Sequence, residues 1–124
     1  MERKEIMVFQ LNPTETVIME LFWEKGTWLS GADVWKYFNT SIKKSERSTV
    51  NTFLARMAEK GLLVKEKRKY KYAYTREELE TKKAEEVLTT MYDGSLSKFL
   101  AALGGSKKVS REEMDELKNY LEQL

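Results

Sequence analysis

Between residues 45 and 71 the chain gathers side chains suited to a polyanion. Ser45, Arg47, Ser48, Thr49, Asn51, Thr52 and Arg56 come first, and Lys65, Lys67, Arg68, Lys69 and Lys71 follow. Small hydroxyl and carboxamide groups can approach a DNA groove closely and bond base edges, while guanidinium and ammonium groups bond phosphates. Residues 36–71 hold eleven Lys or Arg against three Glu, a net of +8. A plain solvated face is the bland alternative, since lysines on a hairpin also protect an edge strand. The order of the elements that carry these residues weighs against it.

The same inventory excludes most enzyme chemistry. The 124 residues contain no cysteine and no histidine, and Asp33, Asp93 and Asp115 are the only aspartates. A Ser-His-Asp or Cys-His unit is impossible without an imidazole, and thiolate metal sites and disulfides are impossible without cysteine. Too few aspartates remain for a carboxylate metal cage. Gly26 and Gly31 have the four-residue gap of a phosphate loop, but Ala32-Asp33 follow where Lys-Ser/Thr should stand. A general base near neutrality would have to be a strongly shifted Glu or Lys. No catalytic residue, metal site or cofactor is therefore expected.

The elements that position the basic side chains are well signalled. Asn12 is an N-cap, Pro13 suits N1 and Glu15 completes a capping box. Val17, Ile18, Leu21 and Phe22 then form one apolar stripe, and Gly26 ends the first helix. Thr27-Trp28-Leu29 reads as an extended segment. Ser30, with Asp33 at N3, caps a second helix with Val34, Trp35 and Phe38 inward, and Asn39-Thr40-Ser41 reads as loop. A third helix should begin near Ser45. Its Val50, Phe53, Leu54 and Met57 face a core, Ser48, Thr52, Ala55 and Glu59 lie opposite, and Gly61 is its C′ residue. A β-hairpin follows, with a tight stretch at Arg68-Lys69. Tyr70, Tyr72 and Tyr74 alternate at period 2, which fits core packing.

The remainder reads as helix throughout. Thr75 and Glu78 form a capping box before Leu79, Ala84, Val87, Leu88, Met91 and Tyr92, and Gly94 ends that helix. Leu96, Phe99, Leu100 and Leu103 mark a short helix closed by Gly104-Gly105. Ser110 and Glu113 open a last helix with Met114, Leu117, Leu121 and Leu124. Charge divides along the same line. Residues 1–75 carry 14 basic and 9 acidic side chains (+5), and residues 76–124 carry 8 and 11 (−3), so the overall +2 conceals two regions of opposite sign.

Helix, short strand, helix, helix and hairpin in that order make a winged helix-turn-helix. The expected fold is mainly α with a small β-hairpin (α+β). Residues 1–75 form a winged-helix DNA-binding domain, and residues 76–124 a helical dimerisation region. Three short helices are too few to close a core of their own. A symmetric copy is the simplest cover for Val87, Leu88, Met91, Leu96, Phe99, Leu100, Leu103, Met114, Leu117 and Leu121. The expected partners are double-stranded DNA and a second copy of the chain. Two copies would present two recognition helices to a pseudo-palindromic operator. A winged helix used only for protein contacts, through exposed Trp28, Trp35 and Tyr37, is the competing reading. No apolar run approaches the ~20 residues needed to span a bilayer. The charged opening Met1-Glu2-Arg3-Lys4-Glu5 is unlike a signal peptide, so a cytoplasmic protein is expected.

Two segments carry a family resemblance. Leu11-Asn12-Pro13-Thr14-Glu15 through Leu21-Phe22-Trp23-Glu24-Lys25-Gly26 resembles the opening of the penicillinase-repressor family, which includes methicillin-resistance and copper-transport repressors. Ser48-Thr49-Val50-Asn51-Thr52-Phe53-Leu54-Ala55-Arg56-Met57-Ala58-Glu59-Lys60-Gly61-Leu62-Leu63 is similar to its recognition-helix signature. The resemblance implies a homodimeric repressor with Ser48, Thr49, Asn51, Thr52 and Arg56 toward the groove and a wing at Lys67, Arg68 and Lys69. It also implies a membrane sensor protease, or another signalling protein, as a candidate partner. Copper-sensing relatives use a C-terminal cysteine cluster that this chain lacks. Antibiotic-responsive relatives are cleaved at an Asn-Phe bond; Lys98-Phe99-Leu100 stands in the corresponding stretch. Ser48 occupies a position that is often basic in the family.

Overall fold

The computed structural model describes residues 7–42 and 46–124. Asn12 opens α1 (Pro13–Lys25): its Oδ1 accepts from the Glu15 N–H at 2.8 Å, and Glu15 Oε1 accepts from the Asn12 N–H at 3.1 Å. Two otherwise orphaned donors are thereby satisfied. The helix buries Ile18, Met19, Leu21 and Phe22 and stops at Gly26. The extended segment narrows to β1 (Leu29–Ser30), and Ser30 and Asp33 form the expected capping box on α2 (Gly31–Tyr37).

Asn39-Thr40-Ser41 is not loop. It continues α2 as a π-helical turn over Phe38–Ile42. Asn39 Nδ2 donates to the Trp35 carbonyl and Thr40 Oγ1 to the Lys36 carbonyl, each at 2.9 Å. These polar side chains fold back onto carbonyls of the preceding turn. Phe38 is buried within it.

The third helix, α3 (Arg47–Glu59), starts slightly later than expected. Its N-cap is Glu46, which makes no side-chain cap bond; Ser45 lies outside the described residues. Val50, Leu54 and Met57 are buried and Phe53 half-buried. At its end the Leu62 N–H donates to the Met57 carbonyl at 2.9 Å and the Gly61 N–H to the Ala58 carbonyl at 3.0 Å. Gly61 has φ +86°, so this closure requires the left-handed conformation that glycine adopts without strain.

The hairpin is β2 (Leu63–Glu66) and β3 (Lys69–Tyr72), with β1 on the outer side of β3, giving the antiparallel order β1-β3-β2. Its turn sits one residue earlier than expected. Glu66 pairs with Lys69, leaving Lys67 and Arg68 as a two-residue loop with φ +50° and +70°. Positive φ at both central residues matches the twist of a hairpin, and it normally selects Asn-Gly. Two long cations in that conformation each hold roughly 1–2 kcal/mol of steric strain. Tyr70 is buried and Tyr72 half-buried against the core. Tyr74 lies past the strand, where its carbonyl accepts from Trp23 Nε1 at 2.9 Å.

Among the described residues, thirteen buried apolar side chains form one cluster running from Ile18 to Leu79. Glu15, at 3% exposure, is the buried charged residue, and Lys60 Nζ stands 2.6 Å from its Oε2. That contact joins the start of α1 to the end of α3. A second clamp holds the start of α4 (Arg76–Tyr92). The Arg76 guanidinium forks onto both Glu20 oxygens at 2.6 Å and lies 4.6 Å from the centre of the Trp23 ring. The hydrogen bond from Arg76, reinforced by its charge, lowers the Glu20 carboxyl below its ordinary value.

The chain divides after Ala84 into two compact units, and the boundary falls inside α4. Glu85–Leu124 contains the end of α4, α5 (Leu96–Leu103) and α6 (Arg111–Gln123). Ser95 caps α5, and Ser110 and Glu113 form a capping box on α6. No residue of this unit is buried. The whole is an α+β winged helix followed by C-terminal helices, six α-helices and a three-stranded sheet among the described residues.

Candidate nucleic-acid interface

The core stripe of α3 decides what its other side presents. With Val50, Leu54 and Met57 turned inward, Arg47, Ser48, Thr49, Asn51, Thr52, Ala55 and Arg56 are all exposed. Two of these side chains are already oriented by the fold. Thr52 Oγ1 donates to the Ser48 carbonyl at 2.9 Å. Asn51 folds its carboxamide over the first residue of α2, so closely that a Cβ on Gly31 would collide with Oδ1. Glycine at that position therefore allows the two helices to approach.

The hairpin supplies the second basic surface. Lys67 and Arg68 are exposed at its tip and Lys69 begins the return strand, also exposed. Several cations rest on aromatic faces. Arg47 lies 6.0 Å from the Trp35 ring centre, Lys65 lies 5.5 Å from Tyr70, and Lys71 lies between Trp28 and Tyr72 at 6.0 and 5.8 Å. Such contacts limit where a long side chain can swing. Asp33 is an acidic side chain near this surface. Its carboxylate accepts from the Ser30 N–H at 2.9 Å, and that bond, with the Ser30 hydroxyl and the charges of Lys36 and Lys69, lowers its pKa.

Of the residues singled out in the sequence, Arg47, Asn51 and Arg68 meet at one cleft of about 550 Å³ between α2, α3 and the hairpin. Lys67 and Lys69 line a smaller depression beside Trp28. Ser48, Thr49, Thr52 and Arg56 stand outside both. Lys65, read from the sequence as part of the basic stretch at the hairpin, also lines the larger cleft. Strand alternation places it there: Lys65 stands opposite the buried Tyr70, so its side chain leaves the hairpin on the inner face. The aromatic residues expected to be exposed are not. Trp28, Trp35 and Tyr37 are half-buried, and Trp35 and Tyr37 pack against the core.

The residues proposed for dimerisation lie on the second unit. Met91, Leu96, Met114 and Leu121 are exposed, and Val87, Leu88, Phe99, Leu100, Leu103 and Leu117 are half-buried. Tyr92 and Phe99 make an edge-to-face contact at 5.2 Å. Among the described residues no helix is long and apolar enough to cross a membrane, and no group of acidic side chains is placed to hold a metal ion.

A comparison with curated proteins found no match. Residues 11–123 match the penicillinase repressor family, spanning α1, the helix-turn-helix, the hairpin and the C-terminal helices. The chain belongs to the penicillinase repressor family, whose members are DNA-binding transcriptional repressors rather than enzymes.

Proposed function

We propose that the chain represses transcription as a homodimer on a pseudo-palindromic operator. In this reading α3 enters the major groove, and the basic hairpin lies on the neighbouring backbone. Ser48, Thr49, Asn51, Thr52 and Arg56 face bases and nearby phosphates, with Ser45 and Arg47 at the entry to the helix. Lys67, Arg68 and Lys69 contact phosphates. One observation carries the reading: α3 commits its apolar stripe to the core and leaves every one of these described polar side chains exposed. Residues 1–75 bind DNA, and residues 76–124 dimerise through their uncovered apolar side chains. The protein catalyses nothing, works in the cytoplasm and takes its release signal from another protein, a membrane sensor protease being the candidate.

The direct test is a gel shift with the duplex upstream of the gene, paired with sedimentation of the free protein. A dimer that retards this DNA at low salt, and releases it as salt rises, is the expected result. No retarded band at low salt defeats the DNA reading. A monomer at micromolar concentration defeats the homodimer.

A further inference from the structure

We infer that Arg76, forked onto Glu20, is the positioning residue that fixes the direction in which α4 leaves the winged helix, and so sets the half-site spacing that the dimer accepts. This rests on the homodimeric DNA reading above. Each added base pair turns a half-site by about 35° and carries it about 3.4 Å along the axis. A dimer whose winged helices hang on loose joints tolerates such changes, whereas one with stiff joints selects a single spacing.

The start of α4 is built as a stiff joint. The helix is continuous from Arg76 to Tyr92, and the sequence holds no glycine or proline between Gly61 and Gly94. It does not need Arg76 in order to form. Thr75 Oγ1 accepts from the Glu78 N–H at 3.1 Å, Glu78 Oε1 accepts from the Thr75 N–H at 2.9 Å, and Leu79 is buried. A cation in the first turn also opposes the helix dipole, so Arg76 stands there against local preference. What it adds is direction. Its two terminal nitrogens bond the two Glu20 oxygens, which fixes a plane as well as a distance, and its guanidinium lies over the Trp23 ring. Trp23 is itself tied through Nε1 to the Tyr74 carbonyl, just ahead of the helix. A second tether acts two turns further on. Gln10 Nε2 donates to the Lys83 carbonyl at 3.0 Å, and Phe9 and Leu11 on either side of Gln10 pack against the core. Anchors at Arg76 and Lys83, about 10 Å apart along the helix, resist both swing and roll. Arg76 and Glu20 are each about half exposed, where an ion pair contributes little to stability, so the clamp can be removed without unfolding the unit.

The experiment uses the full chain and the duplex upstream of the gene, with its half-sites mapped by hydroxyl-radical footprinting and two base pairs then inserted between them. Wild-type protein is expected to lose about 100-fold in affinity on the lengthened duplex, as its half-sites become independent. Arg76→Ala and Glu20→Gln are expected to lose about tenfold or less on the same insertion. Both variants should bind a single half-site, and sediment, as wild type does. Wild-type protein that retards no duplex overturns the DNA reading and this inference with it, and a wild-type monomer overturns the homodimer and this inference with it. Wild-type binding that ignores the insertion overturns this inference alone, as does a wild-type loss retained in both variants. A variant that no longer binds the single half-site would show the clamp holding the winged helix together rather than aiming α4, and would also overturn the inference.

Discussion

The two units solve the problem of apolar surface in opposite ways. Up to Ala84, α1, α2, α3 and the sheet enclose Phe22, Leu54, Met57 and their neighbours almost completely. From Glu85 onward the helices are just as regular and as well capped, yet none of their side chains is buried. Capping and amphipathicity therefore suffice to form a helix but not to give it a core. The first unit carries its own stability. The second has a face without a partner, and a second copy of the chain would cover it.

The contrast can be broken most forcefully in the first unit. Leu54→Ala removes a fully buried side chain and is expected to cost about 2–5 kcal/mol, read from urea denaturation. A similar loss from Leu121→Ala, a residue 41% exposed, would erase the distinction. In the second unit, Leu117→Asp with Leu121→Asp should convert the proposed dimer to monomer in sedimentation. Operator affinity should fall on the order of 100-fold as the two half-sites become independent, while the circular dichroism of the first unit persists. Lys60→Ala leaves the Glu15 carboxylate buried without its counter-ion, with the Asn12 N–H still on Oε1. Because Lys60 is 32% exposed, the cost should lie near 2 kcal/mol, below the ~3–5 of a fully buried pair.

Smaller effects sharpen the comparison. Replacing the strained tip by Lys67→Asn with Arg68→Gly should raise stability by about 1 kcal/mol. The same change should lower the salt slope by up to about two units, so stability and binding would move in opposite directions. The pH response should be smallest. Glu20 and Asp33 have folded-state pKa values below their ordinary 4.5 and 3.8, so their contribution is present above those values and lost as pH falls through the lower folded ones. With no histidine in the chain, no imidazole titration should appear between about pH 6 and 8 in a pH series of thermal melts.

Local chemistry made much of this legible. The capping residues Asn12, Ser30, Thr75 and Ser110 announce their helices, and Gly61 announces the end of α3, because those bonds close within a few residues. The misplacements have non-local causes. A turn built from Lys67 and Arg68 has no sequence signature, since its conformation is imposed by the pairing of the strands on either side. Asn39-Thr40-Ser41 suggests loop by composition, yet it lies in a π-helical turn at Phe38–Ile42 in which Phe38 is buried. Glu15 reads only as a capping residue until the fold brings Lys60 to it across 45 positions. Lys65 is one lysine among several until register puts it on the inner face.

On the proposed docking of α3 in a major groove, the hydrogen bond from Thr52 to the Ser48 carbonyl would limit the alphabet the helix can read. With its proton committed to the backbone, Thr52 offers an outside partner lone pairs and a methyl group. In a major groove it can accept from the amino group of adenine or cytosine, or pack against the thymine methyl. It has no donor left for the N7 and O6 of guanine. An operator matched to this helix should disfavour guanine at the base that Thr52 meets, and Thr52→Val should soften that preference where the contact is to an amino group and preserve it where the contact is to a methyl.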